Sequence, residues 1–172
     1  MIRRKSHAKD YVAGTRSEAA IEALAKQGLD VAPKPKSEGI PDLPKDLTDL
    51  SEKELMALYA EYVAWSDYAT SQFACAVVDE KEAERQVSLV EATKIAQLRT
   101  QGVGVTDARA AVKVLPVVVA VREELVTKEA YRRMLETVVE TCEKRSNLTS
   151  RELTRRTSGM DRNRRAGNTW IT

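Results

Sequence analysis

Residues 51–100 read SEKELMALYAEYVAWSDYATSQFACAVVDEKEAERQVSLVEATKIAQLRT, fifty positions without a proline or a glycine. Ser51 and Glu54 have the spacing of a capping box, and Leu50 stands where a hydrophobic staple begins. Apolar residues recur at Leu55, Leu58 or Tyr59, Tyr62, Trp65, Ala69, Phe73, Ala76, Ala83, Val87, Val90 and Leu98. Steps of three and four dominate, which predicts one helix with a single buried stripe. At a 1.5 Å rise such a helix is a rod of roughly 70 Å. The stripe thins at Asp79-Glu80-Lys81-Glu82, where a kink or break is admissible. Gly102 and Gly104 supply the stop.

Downstream, Thr106 and Asp107 are predicted caps for a short helix over Ala108–Val112. Pro116 suits the first turn of the next helix, where its missing N–H costs nothing. The valines at 117, 118, 119 and 121 also fit a buried strand. Pro116 and the later spacing of Val118, Val121, Leu125, Leu135, Val138 and Cys142 favour a helix, running to about Lys144. Leu148–Arg156 reads as a further helical piece. Two long helices joined by a glycine-containing turn predict an antiparallel hairpin at 47–156. Neither helix can bury its stripe fully against one partner, so a homo-oligomer is expected.

Upstream, Ser17 is a predicted cap for a helix over 18–25 that stops at Gly28. Pro33, Pro35, Pro41 and Pro44 then mark an extended linker. Residues 1–46 therefore read as a basic N-terminal arm, and residues 157–172 as a basic C-terminal tail. The fold class expected is all-α.

Composition narrows the function. Aromatics are 5% of the 172 residues and Phe occurs once, too few for a β-sandwich or barrel of this size. A single histidine removes most imidazole-based metal and acid–base sites, and two distant cysteines make no disulfide framework. No apolar run reaches membrane-spanning length, and the basic start lacks the apolar stretch of a signal peptide. A non-enzymatic protein of the cytoplasm is expected, with no membrane, metal or cofactor.

The formal charge of +2 conceals an asymmetry. Residues 1–36 carry 8 basic and 4 acidic side chains, residues 37–104 carry 6 and 13, and residues 105–172 carry 14 and 9. Basic ends around an acidic middle suggest a polyanion partner or charge-matched self-assembly.

Individual candidates follow the same logic. His7 has no flanking partner for catalysis. Cys75 and Cys142 fall at apolar positions and read as small core residues, or as a redox pair if the hairpin joins them. Gln101-Gly102-Val103-Gly104 lacks the pattern of a phosphate loop. Asp79, Glu80, Glu82 and Glu84 interleave with Lys81 and Arg85 as an exposed charged face. Tyr59, Tyr62, Trp65 and Tyr68 could stack bases, but their acidic surroundings favour core or subunit packing. Leu55, Tyr59, Tyr62, Trp65, Phe73, Leu125 and Leu135 are the expected packing residues. Arg151, Arg155 and Arg156, then Arg162, Arg164 and Arg165 with Trp170, are the best candidates for phosphate contact.

The acidic helix with its early Trp65, the glycine turn, the second helix and the finish LTSRELTRR at 148–156 resemble the UvsY-type recombination mediators of tailed bacteriophages. The resemblance covers about residues 47–156. It implies a helical protein that assembles into rings, binds single-stranded DNA and loads a recombinase in place of a single-strand-binding protein. The basic motif of that family falls on ATKIAQLRTQGVG at 92–104. Lys94 takes the place of the motif's lysine, Ala96 replaces its arginine, and Arg99 is the nearest compensating cation. That substitution shifts phosphate contact toward Lys113 and the C-terminal arginines. The rival expectation is a virion structural protein, head-associated or in a packaging ring. Its basic arms would then hold neighbouring subunits or capsid and portal proteins.

Overall fold

The computed structural model describes residues 15–167, with side chains from Arg16 to Gly159. His7 and Trp170 lie outside the described residues. Four helices form and, among the described residues, no strand: α1 (Thr15–Lys26), α2 (Glu52–Thr100), α3 (Val105–Val112) and α4 (Pro116–Gly167). The chain divides into two units. Among the described residues, unit 1 combines 15–31 with 71–136, and unit 2 combines 32–70 with 137–167.

Helix α2 starts as its sequence dictates. The Glu54 amide donates to Ser51 Oγ at 3.3 Å, and the Ser51 amide donates back to Glu54 Oε2 at 2.8 Å. These bonds satisfy two donors that a helix start otherwise leaves open. The Ser51 hydroxyl, donating to Glu54 Oε2 at 2.6 Å, and then the Ser51 amide hold the Glu54 carboxyl below its usual range. The helix runs through Asp79–Glu82 without a break. Its most buried residues repeat at seven: Leu55, Tyr62, Ala69, Ala76 and Ala83, with Trp65, Gln72 and Asp79 as the companion row. Helix α4 follows the same rule. Positions 118, 125, 132, 139, 146 and 153, and positions 121, 128, 135, 142, 149 and 156, are all buried or half-buried. This is the period of 3.5 that keeps two helices in contact along one seam.

In unit 1 the antiparallel sense of α2 and α4 is fixed by ion pairs. Arg122 reaches Glu91 at 2.6 Å, and Arg132 reaches Glu80. Helix α1 docks on α2 through a buried hydrogen bond from Ser17 Oγ to Asp79 Oδ1, 2.9 Å, and its Ile21 is buried. Ser17 is therefore not the helix cap expected. It lies inside α1, and its hydroxyl gives the buried Asp79 carboxylate a donor that an apolar seam would withhold. Phe73, Leu125 and Leu135 are half-buried here.

In unit 2 the proline-bearing stretch before α2 has no regular element, yet it supplies packing partners. Tyr62 donates to the Asp42 carbonyl at 3.1 Å, Trp65 Nε1 donates to Ser37 Oγ at 2.9 Å, and Arg145 donates to the Pro41 carbonyl. Prolines deny this stretch a backbone ladder, so its carbonyls are left for side-chain donors. Leu55, Tyr62 and Trp65 are buried and Tyr59 half-buried. Trp65 meets Tyr68 edge-on at 5.9 Å.

Two further expectations are revised. The α4 helix does not end near Lys144 but continues as one helix to Gly167, because no proline or glycine intervenes before Gly159. The cap of α3 is Gly104 in extended conformation with no side-chain bond, instead of Thr106 or Asp107. Cys75 and Cys142 are free, buried and in different units. Burial pushes both thiols upward in pKa, which suits packing better than redox chemistry.

Two of the three expected glycine stops hold, whereas Gly104 caps the start of α3 instead. Gly28 and Gly102 have φ of 79° and 87°. Each closes a Schellman motif: Leu29 N to Leu24 O at 3.0 Å, and Val103 N to Leu98 O at 3.2 Å. Gly102→Ala meets no steric neighbour, so its cost is the left-handed backbone alone. A loss of about 1–2 kcal/mol in urea unfolding is expected. An unchanged midpoint would mean that the turn relaxes.

Candidate nucleic-acid interface

Among the described side chains, eight of the fourteen cations on α2 and α4 have carboxylate partners in their own chain. Besides Arg122 and Arg132, Arg85 and Arg16 share Glu82, Lys81 pairs with Glu84, Arg133 with Glu129, and Lys144 with Glu140. Three of these pairs, Arg16–Glu82, Arg122–Glu91 and Arg132–Glu80, join the basic ends to the acidic middle.

The stretch from the last turns of α2 to the start of α4 departs from this. Residues 92–115 carry Lys94, Arg99, Arg109 and Lys113 against one carboxylate, Asp107. Local structure dictates their display. Ala108 and Val112 of α3 are buried, as is Val118 of α4, which anchors the short helix. Arg109 and Lys113 lie between those anchors and are exposed, as is Arg99. Lys94 is half-buried and bonds the neutral Gln97 side chain at 3.0 Å. Lys113 also borders an open hollow of about 520 Å³ with Val119, Arg122 and Val126. Asp107 sits in the first turn of α3, where the positive end of the helix dipole favours it. Arg109 was missed from the sequence because it belongs to a short helix read only for its caps.

The C-terminal arginines separate by role. Arg151 is exposed and lines a depression of about 350 Å³ in unit 2 with Lys45, Leu47, Leu148 and Arg155. Arg155 is largely exposed and forks onto Glu152, with both bonds 2.7 Å. Arg156, expected to face phosphates, is turned inward instead. It donates to the carbonyls of Leu50 at 2.7 Å, Leu47 at 2.8 Å and Thr48 at 3.2 Å, and to Glu152 at 2.8 Å. The side chains of Arg162, Arg164 and Arg165 lie outside the described residues, though α4 carries their backbone.

The arginine pairs also depress two carboxyls. Glu82, bonded by Arg85, and Glu152, bonded by Arg155 and Arg156, are lowered from 4.5 to about 2. A carboxyl depressed on folding stabilises above its unfolded value and loses that contribution as pH falls through its folded one. Thermal midpoints should therefore fall as pH drops from about 4.5 toward 2. A flat profile over that window would mean that solvent screens these pairs completely.

Among the described residues no cluster of three or more His, Cys, Asp or Glu side chains can hold a metal, and no helix is long and apolar enough to cross a membrane. No protein-family model matches the chain, and no curated protein or solved structure matches it.

Proposed function

We propose that the chain is a non-enzymatic recombination mediator that binds single-stranded DNA through the stretch joining α2, α3 and α4. The observation that carries this reading is the excess of positive charge along the stretch joining α2, α3 and α4. Four cations face one carboxylate over 92–115, whereas the cations along the helix seam of unit 1 are largely paired. The same stretch holds the residues that resemble the basic motif of the UvsY-type mediators. Arg109 and Lys113 supply cations that Ala96 does not. Such a surface contacts phosphates and carries no base-reading pattern, so binding is electrostatic and tolerant of sequence.

The test is fluorescence anisotropy of a labelled oligothymidylate over a range of salt, with mass measured in the same buffers. Removing Lys94, Arg99, Arg109 and Lys113 together should flatten the log K–log salt slope by about 3, from roughly 0.7 per lost single-strand contact. Absence of binding by the unaltered chain at low salt would overturn the reading.

A virion structural role is favoured by one observation. Val126 and Met134 of α4 are 63% and 70% exposed, a surface that a neighbouring subunit would cover. An oligomer without oligonucleotide affinity would put that role first.

A further inference from the structure

Helix α4 carries a second strip on the side away from its seam. Val119, Glu123, Val126, Ala130 and Arg133 are all exposed and follow one another in steps of four, three, four and three. At 100° per residue these five, with the exposed Met134 beside them, fall within an arc of about 100°. The middle of that arc lies roughly 160° from the middle of the seam, and the strip is about 22 Å long. It belongs to unit 1. Its spacing is the seven-residue period by which one helix presents a row to another. Val119, Val126 and Met134 hold apolar surface in water, and Ala130 is small enough to admit a close neighbour. The two charges of the strip, Glu123 and Arg133, stand five residues to either side of Lys128. Among the described residues Glu123 forms no ion pair, and the adjacent Arg122 is committed to Glu91. Arg133 holds Glu129 at the edge of the strip.

We infer that this strip is the contact face of a two-fold antiparallel homodimer, with the axis at the level of Lys128. In that arrangement, positions equidistant from 128 on the two chains face each other. Val126 packs on the partner's Ala130, and Met134 lies along the aliphatic stem of the partner's Arg122. Glu123 meets the partner's Arg133, and symmetry makes every such contact twice. Arg133 keeps Glu129 as well, because a guanidinium has donors for both carboxylates. A parallel pair would set Glu123 against Glu123 and Arg133 against Arg133, which repels. The order of charge therefore selects the occupant, a second copy of this chain, and its direction. An unrelated protein would need no such symmetry of charge about one residue. The inference is independent of the nucleic-acid reading, since Lys94, Arg99, Arg109 and Lys113 lie off the strip.

Sedimentation equilibrium of the full chain over a range of concentrations tests the pairing, with helix content checked by circular dichroism. The unaltered chain should reach twice the mass of one chain. E123R sets an arginine against the partner's Arg133, and R133E sets a glutamate against the partner's Glu123. Each single reversal should weaken dimerisation at least about tenfold. The chain carrying both reversals restores opposite charges across the axis and should recover the dimer. Damage confined to either residue's own helix cannot produce that rescue. An unaltered chain that stays monomeric at every concentration overturns the inference. A dimer that neither single reversal weakens also overturns it, because the contact then lies on another face. Single reversals that weaken the dimer without rescue in the double variant overturn the antiparallel pairing.

Discussion

Tyr62→Ala is expected to destabilise unit 2 by about 3–5 kcal/mol, the range for deleting a large buried ring. Tyr62 is fully buried at the second seven-residue position of α2, one repeat after the equally buried Leu55. Its ring fills the seam while its hydroxyl donates to the Asp42 carbonyl at 3.1 Å. Truncation therefore opens a cavity and leaves the proline-bearing stretch without a donor. Tyr62→Phe separates the two contributions. It keeps the ring and loses one hydrogen bond, for about 1 kcal/mol. Urea unfolding followed by circular dichroism measures both. Equal losses for the two variants would place the energy in the hydroxyl and not in packing. The Tyr62 hydroxyl is a donor throughout the ordinary pH range, since burial raises its pKa.

The second large effect belongs to Arg156. Its guanidinium bridges α4 to the carbonyls of Leu47, Thr48 and Leu50, immediately before the capping box of α2. Arg156→Ala should cost about 3 kcal/mol, because bonds to a charged donor are worth about 1.5–3 each and the vacated carbonyls are only partly rehydrated. Arg156→Lys should recover little, since an ammonium lacks the planar fork that reaches three carbonyls at once. Amide exchange over residues 43–55 should quicken in the alanine variant. If stability were unchanged while oligonucleotide affinity fell, Arg156 would belong to the binding surface after all.

These two residues show how differently the chain discloses its parts. Tyr62 was legible as packing because it is apolar, helically spaced and set in an acidic segment that repels phosphate. Arg156 was not, because an arginine in a basic run reads as a solvated cation until its carbonyl partners, more than a hundred residues earlier, are known. The same holds for Ser17. Its position before Glu18 suggested a cap, and only the proximity of Asp79 reveals a buried donor. In the candidate interface, Lys94, Arg99 and Lys113 were legible, whereas Arg109 gained meaning once Ala108 and Val112 were seen to anchor α3.

The sequence by itself determined the helices, the capping box at Ser51 and Glu54, the glycine stops at 28 and 102, and the entry at Pro116. Each depends on backbone chemistry within a few residues, which composition and spacing record directly. Tertiary structure alone decided the polar members of the seven-residue seam. Gln72, Asp79, Lys128, Arg132, Ser146, Thr149 and Arg156 occupy it, and a hydropathy pattern does not register polar side chains as buried. Their burial depends on distant partners, as with Glu80 for Arg132 and the Leu47–Leu50 carbonyls for Arg156. Tertiary structure also decided which cations are neutralised by carboxylates.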